Sequence, residues 1–196
     1  QNKKTQKLFS SSSKEAEQLF HSHYQKNEIP SNTVILTYLE INGWLITTNG
    51  VTILIDPILE GPLDFGIPSV YSASKRVLPS FGLCKALPPD VDCLLITQGL
   101  DDHAHAGTLN ILSDLYGDKG VSIIAPPAAR PAIERSGLSN SGANDIRYVS
   151  PGESNVAIRA RVTTSTQSSR AAAGLALDVT SGARVGPPWQ ARENGY

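Results

Sequence analysis

The sequence predicts an α+β fold in which an antiparallel meander is followed by strand–helix units. Three observations carry that prediction. Asn42-Gly43 and Asn49-Gly50 are separated by one strand length, and Asn-Gly between apolar runs is a strong hairpin signal because both residues accept positive φ. Asp92–Thr97 and Val121–Ala125 are short buried-strand patterns separated by a segment of helical spacing. The first of these strands releases a polar cluster, Thr97-Gln98-Gly99-Leu100-Asp101-Asp102-His103-Ala104-His105, and strand ends are where sheet proteins place their chemistry.

Residues 1–30 read as a peripheral leader. Lys3, Lys4 and Lys7 precede Ser10 to Ser13, and Glu15 to Phe20 is helix-permissive. That composition suits the end of an organellar transit peptide and equally a plain disordered tail. His21 and His23 in it read as solvated residues.

The domain, residues 31–196, opens with the run Thr33 to Ile41, turns at Asn42-Gly43, and continues through Trp44 to Thr48 and Val51 to Ile55. Asp56-Pro57 closes the third strand, since proline cannot continue a ladder. Pro57 to Pro89 is a long Pro- and Gly-punctuated loop with a helix-compatible stretch at Ser72 to Val77, a length that marks functional or mobile segments. After the polar cluster, Leu109, Leu112, Leu115 and Tyr116 follow helical spacing and stop at Gly117. Pro126-Pro127 opens a second helix that runs through Arg135 and ends at Gly137, the expected Pro-first, Gly-last asymmetry. Ile146 to Val149 reads as a strand, and Val156 to Val162 pairs with Gly174 to Thr180 across the Ser-rich link 163–169. Glu193-Asn194-Gly195-Tyr196 reads as entry to another strand, so the domain is expected to be incomplete at its C-terminus. No methionine occurs, which suits a processed chain or a fragment.

Composition narrows the function classes. The chain has 17 Lys and Arg against 18 Asp and Glu, with no basic stripe of the kind nucleic acid requires. Its longest apolar runs fall far short of the ~20 residues of a membrane-spanning helix, so a soluble, intracellular protein with neither nucleic-acid nor membrane partner is expected. Cys84 and Cys93 are read as reduced thiols in a non-secretory compartment. No Gly-x-Gly-x-x-Gly or phosphate-cradling Gly-Lys-Ser loop is present.

The polar cluster resembles, position by position, the loop Thr-His-x-His-x-Asp-His of the metallo-β-lactamase superfamily. Asp102 and His103 fall on its final Asp-His pair, while Gln98 and Leu100 stand where it carries its first two histidines. With the meander and Leu54-Ile55-Asp56-Pro57, the resemblance covers residues 33–196 and implies the N-terminal portion of an αββα sandwich. Within the superfamily the chain is most similar to lactonase-like hydrolases of cyanobacteria and plastids, where Gln-x-Leu-x-Asp-His-Ala-His replaces the usual loop. Phe65-Gly66-Ile67-Pro68 and Gly186-Pro187-Pro188-Trp189 fit that branch as well. A plastid location follows from the branch, with the cytoplasm as the alternative.

What the resemblance implies chemically is a degenerate metal site. The full motif holds two zinc ions and activates water between them. Leucine has no donor atom, and a glutamine amide suits zinc poorly beside imidazole. The remaining capacity is one zinc (or manganese or iron) ion at most, with Asp102, His103 and His105 as ligands, Asp102 and His103 as catalytic residues, and Asp56, Gln98 and Asp101 in support. No histidine follows His105, so second-half ligands of the superfamily are not in this chain. Each site residue also has a plainer reading: Asp101-Asp102 suits a helix N-cap, and Asp56-Pro57 suits a turn. Two functions follow. One is a mononuclear metal-dependent hydrolase of ester or lactone substrates. The other is a non-catalytic binding or assembly module on the same fold, with Phe65, Ile67, Val70, Tyr71 and Phe81 of the 57–89 loop presenting an apolar patch to a protein partner.

Overall fold

Turn chemistry and period-two burial build the front of the central sheet. β1 (Val34–Tyr38), β2 (Trp44–Thr48) and β3 (Val51–Ile55) pair antiparallel in sequence order. A computed structural model describes residues 33–75, 87–88, 90–140, 142–154, 156–158, 175–182 and 192–196. The leader, Cys84, Phe81, the Ser-rich link and Gly186 to Trp189 lie outside the described residues.

At Asn49-Gly50 both residues take positive φ, 47° and 76°, as an Asn-Gly hairpin requires. The first turn differs from the expected two-residue Asn42-Gly43 hairpin. Its loop runs from Leu39 to Gly43, and the positive φ angles fall on Glu40 (67°) and Ile41 (59°). A β-branched residue is a rare occupant of the left-handed region. The consequence is that Asn42 stands free of the turn's backbone geometry and directs its side chain elsewhere.

β4 (Cys93–Leu95), β5 (Ser122–Ala125) and β6 (Asp145–Tyr148) extend the sheet from β3 in parallel, giving the order β1-β2-β3-β4-β5-β6. The parallel crossovers carry α1 (Ala106–Tyr116) between β4 and β5, and a 3₁₀ turn (Pro127–Ala129) followed by α2 (Arg130–Ser136) between β5 and β6. Gly137 ends α2 at φ 83°, where only glycine is unstrained. The sequence reading of strand–helix–strand–helix–strand holds. The helix-compatible stretch at Ser72–Val77 does not form over 72–75, where Ala73 instead bridges Leu63 in antiparallel fashion.

Both faces of β3, β4 and β5 are buried, as central parallel strands require, while β6 at the sheet edge is partly exposed. Leu54, Leu94 and Ile123 face Leu109, Leu112, Tyr116 and Ile133 of the helices. One residue along, Ile53, Cys93, Leu95 and Ile124 pack with Val156, Ile158 and Val179, which belong to or adjoin two short antiparallel pairs. These are β7 (Val156–Ile158) with β8 (Leu175–Leu177), and β9 (Thr180–Ser181) with β10 (Asn194–Gly195). Among the described residues no helix is long and apolar enough to cross a membrane.

Ile123 is fully buried in a central strand, whereas Leu36 on the edge strand is 60% exposed. Ile123→Ala is expected to lower unfolding free energy in urea by about 2–5 kcal/mol, and Leu36→Ala by no more than about 0.5 kcal/mol. Equal effects would contradict this assignment of the core.

Candidate functional site

The parallel strands deliver their C-terminal ends to one edge of the sheet, where the site is assembled. Asp56 follows β3 directly. Its N–H continues the ladder by donating to Leu95 O (3.0 Å), and its φ of 39° then turns the chain before Pro57. That turn lays the carboxylate across the end of β4. Oδ1 accepts from the Thr97 backbone N–H (2.8 Å), and Oδ2 accepts from the Thr97 hydroxyl (2.5 Å).

The same Oδ2 lies 2.8 Å from His103 Nδ1, and Thr97 Oγ1 is also 2.8 Å from that nitrogen. A carboxylate at Nδ1 assigns the proton there, so Nδ1–H donates to Asp56 and Nε2 points outward. Around Nε2 stand Asn42 Nδ2 at 3.3 Å, Asp102 Oδ2 at 3.4 Å and Glu193 Oε1 at 3.6 Å. Asn42 also donates to the Asp102 backbone oxygen (3.1 Å) and to Asp102 Oδ2 (3.3 Å). The irregular turn after β1 thereby contributes a site residue.

Charge dominates this cluster. Burial alone pulls the His103 imidazole down, but its hydrogen bonds to Asp102 and Asp56 and their charges prevail, and its pKa is pushed up to about 10. Burial pushes Asp102 up, yet the hydrogen bond and charge of His103 outweigh it and hold the carboxyl below its ordinary range. In the ion-free protein His103 is therefore an imidazolium shared among carboxylates.

The remaining expected residues are placed differently. His105 is the N-cap of α1: its Nδ1 accepts from Thr108 N–H (3.2 Å) and lies 3.0 Å from Thr108 Oγ1. Thr108 Oγ1 accepts in turn from Leu59 N–H (2.9 Å), which ties the helix start to the loop after β3. Burial holds His105 below its ordinary range, with Asp101, Asp64 and the Pro62 backbone pulling the other way. The cap is thus a histidine, and neither Asp101 nor Asp102 performs that role. Gln98 is buried. At Gly99 any Cβ would run into the backbone of Ala128, so glycine there lets the loop lie against the 3₁₀ turn.

Asn42 and Glu193 were not legible as site residues in the sequence. Asn42 carried a hairpin signal that masked it, and Glu193 had only the weak cue of an acid directly before a strand-like segment. Lys75 donates to Leu39 O (2.7 Å), and burial lowers its pKa to about 8. With Leu59 at the other end, both described ends of the 57–75 segment are fastened beside the site.

The donor types suit a divalent ion: an imidazole nitrogen oriented by a carboxylate, with further carboxylates facing it. Asp102 Oδ1 is buried and accepts no hydrogen bond among the described residues, an acceptor with capacity to spare. Asp102 and His103 fit such an ion. Among the described residues, no three His, Cys, Asp or Glu side chains already stand together as a metal-binding group.

A family model described as a beta-lactamase superfamily domain matches residues 35–196. No curated protein matches the chain. Among solved structures, CmlA, a diiron beta-hydroxylase from Streptomyces venezuelae, is similar at 20% identity and TM-score 0.43, covering 69% of this chain and 25% of that one. A mutant of the CmlA beta-hydroxylase is similar at 22% identity and TM-score 0.42, covering 64% and 23%. The chain spans about a quarter of the length of these structures.

Two measurements check the site's internal bonds. Because folding raises the His103 pKa, its contribution is complete below about pH 6.5 and lost as pH rises through about 10. In chelator-treated protein the stability advantage of wild type over His103→Gln should therefore shrink between those values; an advantage flat across that range would refute the shared-imidazolium description. His105→Ala is expected to lower stability by about 1 kcal/mol through loss of the cap, with His105→Asn recovering most of it.

Proposed function

The chain belongs to the family of beta-lactamase superfamily domains, and from that premise we propose that it is a metal-dependent hydrolase whose two-ion site is reduced to one, acting on ester or lactone bonds of a small molecule. Its mixed sheet with helices on one face is a portion of the metallo-β-lactamase-type fold.

The observation that carries the reading is the posture of His103. A carboxylate fixes Nδ1 at 2.8 Å, and Nε2 faces Asp102, the arrangement by which proteins orient and strengthen a ligating imidazole. In this reading His103 Nε2 and Asp102 hold the ion, and Asp56 with Thr97 holds the ring. Asn42 holds Asp102 through two hydrogen bonds from its amide, one to the backbone oxygen and one to carboxylate Oδ2. Gln98 and Leu100 account for the missing first ion. When bound, a zinc, manganese or iron ion supplies Lewis-acid polarisation and an activated water near neutral pH. His105 capping the helix leaves the ligand role with Asp102 and His103.

The lactonase-like branch is part of this proposal, supported by Gln98, Leu100 and the run Asp102-His103-Ala104-His105. A plastid setting is supported by the leader's lysines and serines.

A second reading has its own support. Phe65, Ile67, Val70 and Tyr71 are 43%, 55%, 81% and 49% exposed, and the Phe65 and Tyr71 rings pack together at 5.6 Å. Apolar side chains gathered on one exposed loop favour a partner-binding module.

Protein purified without chelator should carry about one ion per chain by elemental analysis, and Asp102→Ala or His103→Ala should lose it. Chelation should abolish hydrolysis of simple esters and lactones, and added metal should restore it. Metal content near zero, with ester and lactone hydrolysis absent, would overturn the hydrolase and leave the module.

A further inference from the structure

β1 is one edge of the central sheet, and among the described residues no strand pairs with its outer side. Natural sheets guard such an edge with charge, proline or a bulge, because its unpaired N–H and C=O groups are a template for another strand. The opposite edge follows that rule: β6 carries Asp145 and Arg147, whose side chains pair at 3.5 Å. β1 does not. Residues 31–39 contain no charged residue, proline or glycine, and β1 pairs with β2 residue for residue, without a bulge.

The hydrogen bonds at the end of β1 show which backbone groups are left over. Leu39 N–H donates to Gly43 O (2.8 Å), continuing the register in which Tyr38 opposes Trp44, Thr37 opposes Leu45 and Ile35 opposes Thr47. Bonding alternates along an antiparallel ladder. Ile35, Thr37 and Leu39 therefore turn their backbone groups to β2, and Val34, Leu36 and Tyr38 turn theirs outward. The same three residues carry exposed apolar side chains, which alternation places on one face. On that face the Tyr38 and Trp44 rings pack at 4.8 Å.

We propose that the chain self-associates as a two-fold dimer through its β1 edges, antiparallel and centred on Leu36, which joins two six-stranded sheets into one. The occupant of the edge is a second copy because the edge is complementary to itself. With Leu36 opposite Leu36 of the second copy, Val34 opposes Tyr38, and each pair exchanges both of its backbone hydrogen bonds. Every outward N–H and C=O of the strand is then satisfied. Opposed side chains fall on one face, where apolar cross-strand pairs stabilise a sheet, and no charge meets a like charge. A head-to-tail contact of β1 with β6 of the next copy would instead grow into filaments. The charged pair at β6 opposes that contact.

Sedimentation equilibrium of the full chain over a concentration series, with cross-linking to read the register, tests this. Wild type should show a reversible monomer–dimer equilibrium and no larger species. Leu36→Lys sets two like charges opposite each other on the two-fold and is expected to weaken association by more than about tenfold, with circular dichroism confirming the fold. In a Cys84→Ser background, Leu36→Cys should form a disulfide dimer on mild oxidation with diamide, since opposed Cα atoms about 5.5 Å apart can be bridged. Val34→Cys, equally exposed, should not link to itself, because its own copy lies four residues along the strand, about 13 Å away. The cross-links decide the matter if Leu36→Lys does not fold. A wild type that stays monomeric up to about 1 mM, the range of the weakest specific contacts, would overturn the dimer, as would assemblies growing beyond two chains. A dimer that survives in folded Leu36→Lys, or that links Val34→Cys as readily as Leu36→Cys, would overturn the β1 edge as its seat.

Discussion

The Asp56 carboxylate is the constraint from which the rest of the site follows. Two oxygens on one short side chain engage three donors: the backbone and hydroxyl of Thr97 and the ring of His103. This joins the end of β3 to the end of β4, and both to the loop that leads into α1. A carboxylate taken out of water is costly unless its oxygens are satisfied, and here charge-assisted bonds satisfy them. Replacing it would free the loop and orphan the donors at once. The left-handed backbone of Asp56 itself shows the same dependence, because strain of that kind persists only where the surroundings over-determine it.

From that anchor the site extends outward by geometry. With Nδ1 held, the imidazole has one remaining direction, and Nε2 faces Asn42, Asp102 and Glu193. Three distant parts of the chain meet there: the turn after β1, the loop after β4 and the segment at β10. The parallel half of the sheet makes this meeting possible, since β3, β4 and β5 all present their C-terminal ends to the same edge, where open α/β sheets place ligands.

Much of the fold was legible because it rests on local rules. The buried strands and the glycine ends of the helices are signals of period and backbone preference that short stretches encode completely. The loop around Asp102 and His103 was legible by its order of residues. What escaped were features created by tertiary contact. Asn42 sits beside a glycine, so the hairpin rule placed it in the turn, whereas positive φ at Glu40 and Ile41 makes it a site residue. His105 was expected to face the ion with His103, yet the helix start offers it Thr108, and the unsatisfied amides of a first turn are strong competitors for any nearby acceptor. Glu193 lies 90 positions after His103 in the chain, and no local rule links residues at that distance.

The substitutions at Gln98 and Leu100 acquire a physical sense in this arrangement. Here Asp56, Asp102 and Glu193 all face His103. Gln98 is buried, and the Asp102–His103 pair is oriented by Asn42 and Asp56. The bonds that fix the His103 ring are made at the sheet edge, by Asp56 and Thr97.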